Sequence, residues 1–428
     1  MLQIALNELR NLCKAWRFQL LFLLGTFLFL FSSVTFSARY EAQAAGFDQF
    51  IEMEIERFRR ADEVGAWSTH ILQLMLPPDA AALVFAANGE YLPNILGFTV
   101  SERRRIRYGS SLDYNFAIPR FNRTDWTFLV GYLLSFAALV LSFDQITSER
   151  EAGTLRLLCS YSLSRTRILL GKYLASLIAI VLLLAAGTLA SLSVLSLLAP
   201  EIPLGLSAGL LSVWAVSVVL VLSIYLALGL LMSTICASSS QSLYLALGFW
   251  VMLVIVLPSA AQLAAGYVYP ARTASEVDRE ISLKIRAEAA ANREGRPESD
   301  RTSRAARLRE LSELYNEQFR SNLRQAKWGT QLSKLTPNGV LYDSLSLAFR
   351  SGIYRLEDMA TQAALQADQV GAEVKRTSEI STHPIFSFVR SLRENYALQP
   401  PWRDWALLGL VNLVLLVAAG IRFQMLEL

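Results

Sequence analysis

Charged residues are missing from five stretches of the chain: 18–38, 126–143, 173–200, 202–271 and 405–421. A helix needs roughly 20 apolar residues to cross about 30 Å of hydrocarbon. One charge at the centre of such a helix costs about 2.5–3.5 kcal/mol on insertion scales, so charge-free runs of this length predict membrane spans. The longest run holds two, divided by the polar string Ser233-Thr234-Ile235-Cys236-Ala237-Ser238-Ser239-Ser240-Gln241. The spans predicted are 18–37, 126–143, 172–198, 204–232, 242–264 and 405–422. The fold class expected is an all-α polytopic membrane protein, with six transmembrane helices and two large, mainly helical extracytoplasmic insertions, 38–125 and 265–404.

Outside the spans the apolar positions also recur at helical spacing. Residues 1–17 place Leu2, Leu6, Leu9, Cys13 and Trp16 on one side, with Asn7, Glu8, Asn11 and Lys14 elsewhere on the wheel. That pattern fits an amphipathic helix in the membrane interface, and equally an extension of the first span. The first insertion opens with Phe47, Phe50, Ile51, Ile55 and Phe58, is broken at Pro77-Pro78, and turns strand- or loop-like over 96–108 and 112–121. The second opens with Val277, Ile281 and Ile285, turns at Gly295-Arg296-Pro297, and resumes with Leu308, Leu311, Tyr315, Phe319 and Leu323. Two long amphipathic helices are expected there, with further helices over 356–375 and 384–397.

Composition agrees: the chain is 53% hydrophobic and 18% charged, against about 25% charged in soluble domains. The net charge of +4 is mild. Arg103-Arg104-Arg105 with Arg107 is short and flanked by Glu102, so no nucleic-acid partner is expected. Orientation follows from basic residues in short flanks. Arg10, Lys14 and Arg17 precede the first span; Arg150, Arg156, Arg165, Arg167 and Lys172 lie between the second and third; Arg422 closes the last. This assigns the termini and the loop 144–171 to the cytoplasm and both insertions to the outside. Cys13, Cys159 and Cys236 all fall on the cytoplasmic side, so the insertions have no disulfide framework. Ala42-Gln43-Ala44 resembles a signal-peptide cleavage site, but the apolar run before it exceeds a signal core, and the first span is expected to be retained.

Little in the chain suggests catalysis. There is no GxxxxGK[ST] phosphate loop and no HExxH. A histidine-based triad would have to recruit His70 or His383, and neither histidine adjoins a cysteine as a zinc site requires. No metal and no cofactor of its own is expected. The spans hold few ionisable groups; their polar side chains are mainly Ser and Thr, with Asn412 and Gln262. Ion-coupled transporters place charges within the bilayer, so energy for any transport is expected from a partner protein. Asn122-Arg123-Thr124 matches a glycosylation sequon, relevant only in a secretory pathway.

The loop after the second span is distinctive. Ser148 and Glu151 fit a capping box, predicting a short helix from about Ser148, with Leu155, Leu157 and Leu158 available to pack beyond its charged first turn. Such a helix suits a rigid lever on a cytoplasmic partner, and equally a solvated connection. Glu149-Arg150-Glu151, Gly153-Thr154-Leu155, Ser164-Arg165 and Gly171-Lys172, in that order and spacing, closely resemble the loop of ABC-2 type transporter permeases. The resemblance implies a coupling helix that contacts an ABC ATP-binding subunit through Glu149, Arg150 and Glu151, with Gly153 permitting close approach and Thr154 and Leu155 stabilising the helix. Pro77-Pro78 through Asp125, and Leu335-Thr336-Pro337-Asn338 through Gly352, resemble the subgroup with a large extracytoplasmic region of unknown function, with Thr336 where that subgroup usually has Ser.

The resemblance further implies a bacterial inner-membrane permease, paired with a second copy or a related permease and surrounded by membrane lipid. It would use ATP bound by the partner subunit, with export of a lipid-like or amphipathic cargo as the expected activity. The alternative is an ATPase-coupled mechanical or assembly protein that transmits force to a periplasmic partner without moving a small molecule.

Overall fold

The computed structural model describes residues 2–63, 71–75, 77–87, 95–99, 106–108, 125–160, 164–202, 207–293, 301–355, 358 and 399–426. Six helices among them are long and apolar enough to cross a membrane, and the chain is a polytopic membrane protein whose membrane domain is all α-helical. Helix α1 (Leu2–Lys14) ends at a bend at Ala15, where α2 (Trp16–Glu63) begins. Residues 1–17 are therefore not a straight extension of the first span. Ala5 is buried and Ile4 lies against the third span, while Leu6 and Trp16 stay exposed. Helix α2 has 48 residues, about 72 Å at 1.5 Å per residue. It therefore carries the first span unbroken into the first insertion.

The second span, α3 (126–142), and the fourth, α7 (Ala208–Ile235), form the centre, each 72% buried over its apolar window. The third, α6 (Arg165–Leu198), the fifth, α8 (Ser239–Val268), and the sixth, α12 (Trp402–Gln424), are 33%, 11% and 22% buried. Their outward side chains, such as Leu189, Tyr244 and Leu413, are apolar because lipid tails are as compatible with them as a protein interior. Helix α2 packs on α6, and α12 on α7.

Two spans contain a widened, π-type turn. In α8 it covers Met252–Val256, just before Pro258. Proline lacks the N–H that would reach the carbonyl of Val254 and its ring crowds that carbonyl, so the turn opens. In α3 it covers Val130–Leu134. The carbonyl of Gly131 there accepts from Ser135 Oγ at 2.6 Å and from Asn338 Nδ2 at 2.8 Å, and Trp250 Nε1 donates to Ser135 Oγ at 3.0 Å.

Asn338 comes from the second insertion. Between the fifth and sixth spans run α9 (Ala274–Arg293), α10 (Arg301–Ser333) and α11 (Pro337–Ala348). Thr336 caps α11 by accepting from Gly339 N at 3.0 Å, and Pro337 fills the first helical position, where no N–H is needed. Val340, Leu341 and Leu345 bury α11 against the central spans. Helix α10 packs mainly along the end of α8, where Tyr269 stacks on Trp328 with centroids 5.2 Å apart, and only lightly on α9. The pair is therefore less a hairpin than a helix docked beside the fifth span.

The first insertion is not wholly helical. β1 (Ile71–Met75), β2 (Ile95–Thr99) and β3 (Ile106–Tyr108) form an antiparallel sheet, with Ile71 opposite Thr99 and Leu96 opposite Tyr108. The stretch expected to be strand- or loop-like, 96–108, holds most of β2 and all of β3; the residues of β1 do not alternate cleanly and carry no strand signal of their own. Phe85 of this insertion packs on Tyr342 and Phe349 of the second, with centroids 5.8 and 6.0 Å away, so the two insertions share a core. The stretch 112–121 expected to be strand- or loop-like, the helices expected over 356–375 (position 358 apart) and 384–397, Arg103-Arg104-Arg105, the sequon and both histidines lie outside the described residues.

Candidate functional site

The loop after α3 folds as two short helices, α4 (Thr147–Glu151) and α5 (Thr154–Ser160), joined by Ala152-Gly153. Gly153 has φ +73°, and open space surrounds the position its Cβ would take. Its positive φ requires a left-handed turn, in which a side chain costs about 1 kcal/mol. The helix starts where the sequence indicated, but the capping box does not form. Ser148 lies exposed inside α4. The free N–H groups of Ile146 and Thr147 donate instead to Ser233 Oγ at the end of α7, at 2.9 and 3.1 Å. A donor-rich helix start pressed on α7 takes its acceptor from the neighbour.

Glu151, freed from that box, reaches the start of α8. Its carboxylate accepts from Ser239 N at 2.8 Å and from Ser239 Oγ at 2.7 Å. An anion suits a helix N-terminus, where N–H groups are unpaired and the dipole is positive. Glu149 turns the other way, its Oε1 2.6 Å from Lys172 Nζ, which also binds Glu8 Oε1 at 2.8 Å. Lys172 is only 3% exposed. This triad joins α1, α4 and α6. Gly171 makes it reachable: a Cβ there would lie 2.9 Å from Ile4, so a larger residue would push α1 away.

Further contacts complete the anchorage. Arg17 meets Asp144 at 2.7 Å, and Gln145 donates to Ser176 of α6. Leu155 is buried with Ile146, Ile168, Leu169, Leu230, Ala419 and Phe423. Arg165 donates to the carbonyls of Phe423, Gln424 and Leu426 at 2.9–3.1 Å, closing the end of α12 as basic side chains do at helix C-termini. Thr154 Oγ1 donates to the carbonyl of Glu149 at 3.2 Å across the turn. Arg150, Thr154, Arg156 and Leu157 remain exposed.

The six residues singled out from sequence thus divide. Glu149, Glu151 and Leu155 face the protein, Gly153 shapes the turn, and Arg150 and Thr154 face outward. Glu8, Asp144, Ser233 and Ser239 were not singled out. Glu8 and Asp144 are charges beside apolar runs, a weak signal, and the two serines sit in a polar string with no mark of their own.

The sequence profile described as ABC-2 family transporter protein matches residues 2–425. Among curated proteins, the Probable ABC transporter permease protein NosY of Pseudomonas aeruginosa is 34% identical over 136 residues, covering 31% of this chain and 49% of the relative. Its counterpart in Stutzerimonas stutzeri is 32% identical over 128 residues, covering 30% and 46%. The chain spans about half the length of the curated relatives it matches.

Proposed function

The chain belongs to the ABC-2 family of transporter proteins, and from that premise we propose that it is the permease subunit of an ABC transporter, with α4 and α5 as the element a separate ATP-binding subunit contacts. The observation that carries this reading is the two-sidedness of the helix pair. One side is bonded to Lys172 of α6, Ser233 of α7 and Ser239 of α8, and Lys172 in turn binds Glu8 of α1. The other presents Arg150, Thr154, Arg156 and Leu157, with Leu157 66% exposed. A push on the outer side reaches α6, α7 and α8 directly, and α1 through Lys172, instead of being absorbed by a slack loop. ATP would be bound by the partner, and a second copy of this chain or a related permease would complete the path.

On this reading the termini and the helix pair lie in the cytoplasm of a bacterium, the spans in its inner membrane and the insertions in the periplasm. A membrane-impermeant maleimide should then label Cys13 or Cys236 only after the inner membrane is opened; labelling of intact spheroplasts would reverse the orientation. Export of a lipid-like or amphipathic cargo is favoured by spans lined with Ser and Thr and few charges.

The second reading, transmission of force to a periplasmic partner, is favoured by α11. Its Asn338 is bonded to α3 and α7, so motion of the spans passes into the insertions. Flux of labelled lipid in reconstituted vesicles separates the two.

The test of the coupling reading is co-purification. The triple variant Arg150→Ala, Arg156→Ala, Leu157→Ser should lose the ATP-binding subunit while keeping the wild-type Tm. Unchanged association and ATPase activity would remove the assignment.

A further inference from the structure

Where α2 leaves the apolar run, its side chains line a shallow cleft open to one side. Thr35, Arg39, Tyr40 and Gln43 contribute polar groups and Leu83 an apolar wall, and Asp125 also lines it. Both Asp125 oxygens accept backbone N–H groups, from Ala86 at 2.7 Å and Phe128 at 2.6 Å. Arg39 is exposed and, among the described residues, has no ion pair or hydrogen bond.

The position of this cleft along the span is informative. Residues 18–38 are free of charge and Arg39 follows directly, so its guanidinium sits at the edge of the hydrocarbon, the depth of lipid phosphates and of the Trp and Tyr belt. On successive turns below it, Phe27 and Phe31 are 58% and 49% exposed. Helix α2 thus presents apolar rings, then the Thr35 hydroxyl, then Arg39, then Gln43. That order matches an amphiphile lying along the helix: acyl chain, ester region, phosphate. Guanidinium binds phosphate through charge-assisted, often paired, hydrogen bonds.

We propose that this cleft is a binding site for a phosphate-bearing lipid headgroup, with Arg39 holding the phosphate and Thr35, Tyr40 and Gln43 positioned around it. The site stands independently of the coupling reading, because it lies on the insertion side and involves no residue of α4 or α5.

The experiment uses the full chain purified in detergent micelles, with bound lipid counted by native mass spectrometry. The probes are dioleoylphosphatidylglycerol, dioleoylglycerol, which shares the tails but lacks the phosphate, and glycerol 3-phosphate, which has the phosphate without tails. Phosphatidylglycerol should be retained and the other two lost. Arg39→Ala should weaken retention about tenfold, the scale of one charge-assisted hydrogen bond, while Arg39→Lys stays between the two. The double variant Thr35→Val, Gln43→Ala, which leaves the charge in place, should weaken it less. Equal retention by wild type and Arg39→Ala, or equal retention of dioleoylglycerol, overturns the proposal. Glycerol 3-phosphate held as well as the lipid would make this a soluble-phosphate site and overturn the lipid assignment.

Discussion

The carboxylate of Glu151 closes the N-terminus of the fifth span, accepting from both the backbone N–H and the hydroxyl of Ser239. A residue in the most recognisable motif of the chain therefore holds one helix to another. Glu151→Ala should lower Tm, and Glu151→Gln, which keeps an acceptor but not the charge, should lower it less. Equal Tm values for both variants and wild type would mean the contact has no structural weight. If Glu151 acts only as this tether, association with an ATP-binding subunit should fall no further than the loss of stability explains.

Lys172 carries the heaviest local charge balance, buried between Glu8 and Glu149. Removing the cation leaves two carboxylates facing each other in a poorly solvated gap. Breaking a buried pair this way typically costs about 3–5 kcal/mol. Lys172→Met should lose most of that, and adding Glu8→Gln and Glu149→Gln should recover much of it. A triple variant no more stable than Lys172→Met would show that the charges are not coupled.

Asn338 bridges the second insertion and the centre of the membrane domain. Its Nδ2 donates to the open carbonyl of Gly131, and its Oδ1 accepts from Tyr225 Oη at 3.2 Å. Asn338→Leu leaves Tyr225 Oη buried without that partner, a loss of about 1–3 kcal/mol, while the carbonyl of Gly131 keeps Ser135 Oγ. Pairing it with Tyr225→Phe should cost little more than Asn338→Leu alone, which a double-mutant cycle on thermal unfolding in detergent would read.

A pH effect follows from Lys334, which meets Asp343 at 2.6 Å and Asp404 of α12 at 3.5 Å. Burial disfavours its charge, but the hydrogen bond and charge of Asp343, together with Asp404, outweigh burial and raise its pKa above the ordinary 10.5. A raised lysine stabilises the fold fully below its unfolded value and loses that contribution as pH climbs through the folded one. The Tm gap between wild type and Lys334→Met should therefore be constant from neutral pH to about pH 10 and narrow above 10.5. A gap that closes near pH 7 would point to another group.

The sequence by itself determined the membrane architecture. Hydrocarbon excludes charge so strongly that 18–38, 126–143, 173–200, 202–271 and 405–421 had no other arrangement open to them. It also marked the loop 144–171, because a dense run of charged and turn-forming residues stands out between apolar spans. Only the tertiary structure decided which way those charges face. Glu149 and Glu151 are alike in sequence, yet one turns to Lys172 and the other to Ser239, because their partners lie on helices remote in the chain. The same holds for Thr147, whose N–H finds Ser233 of α7, and for Asn338, whose partner is a carbonyl in a widened turn. Local patterning sets which groups need a partner; long-range packing decides which partner they find.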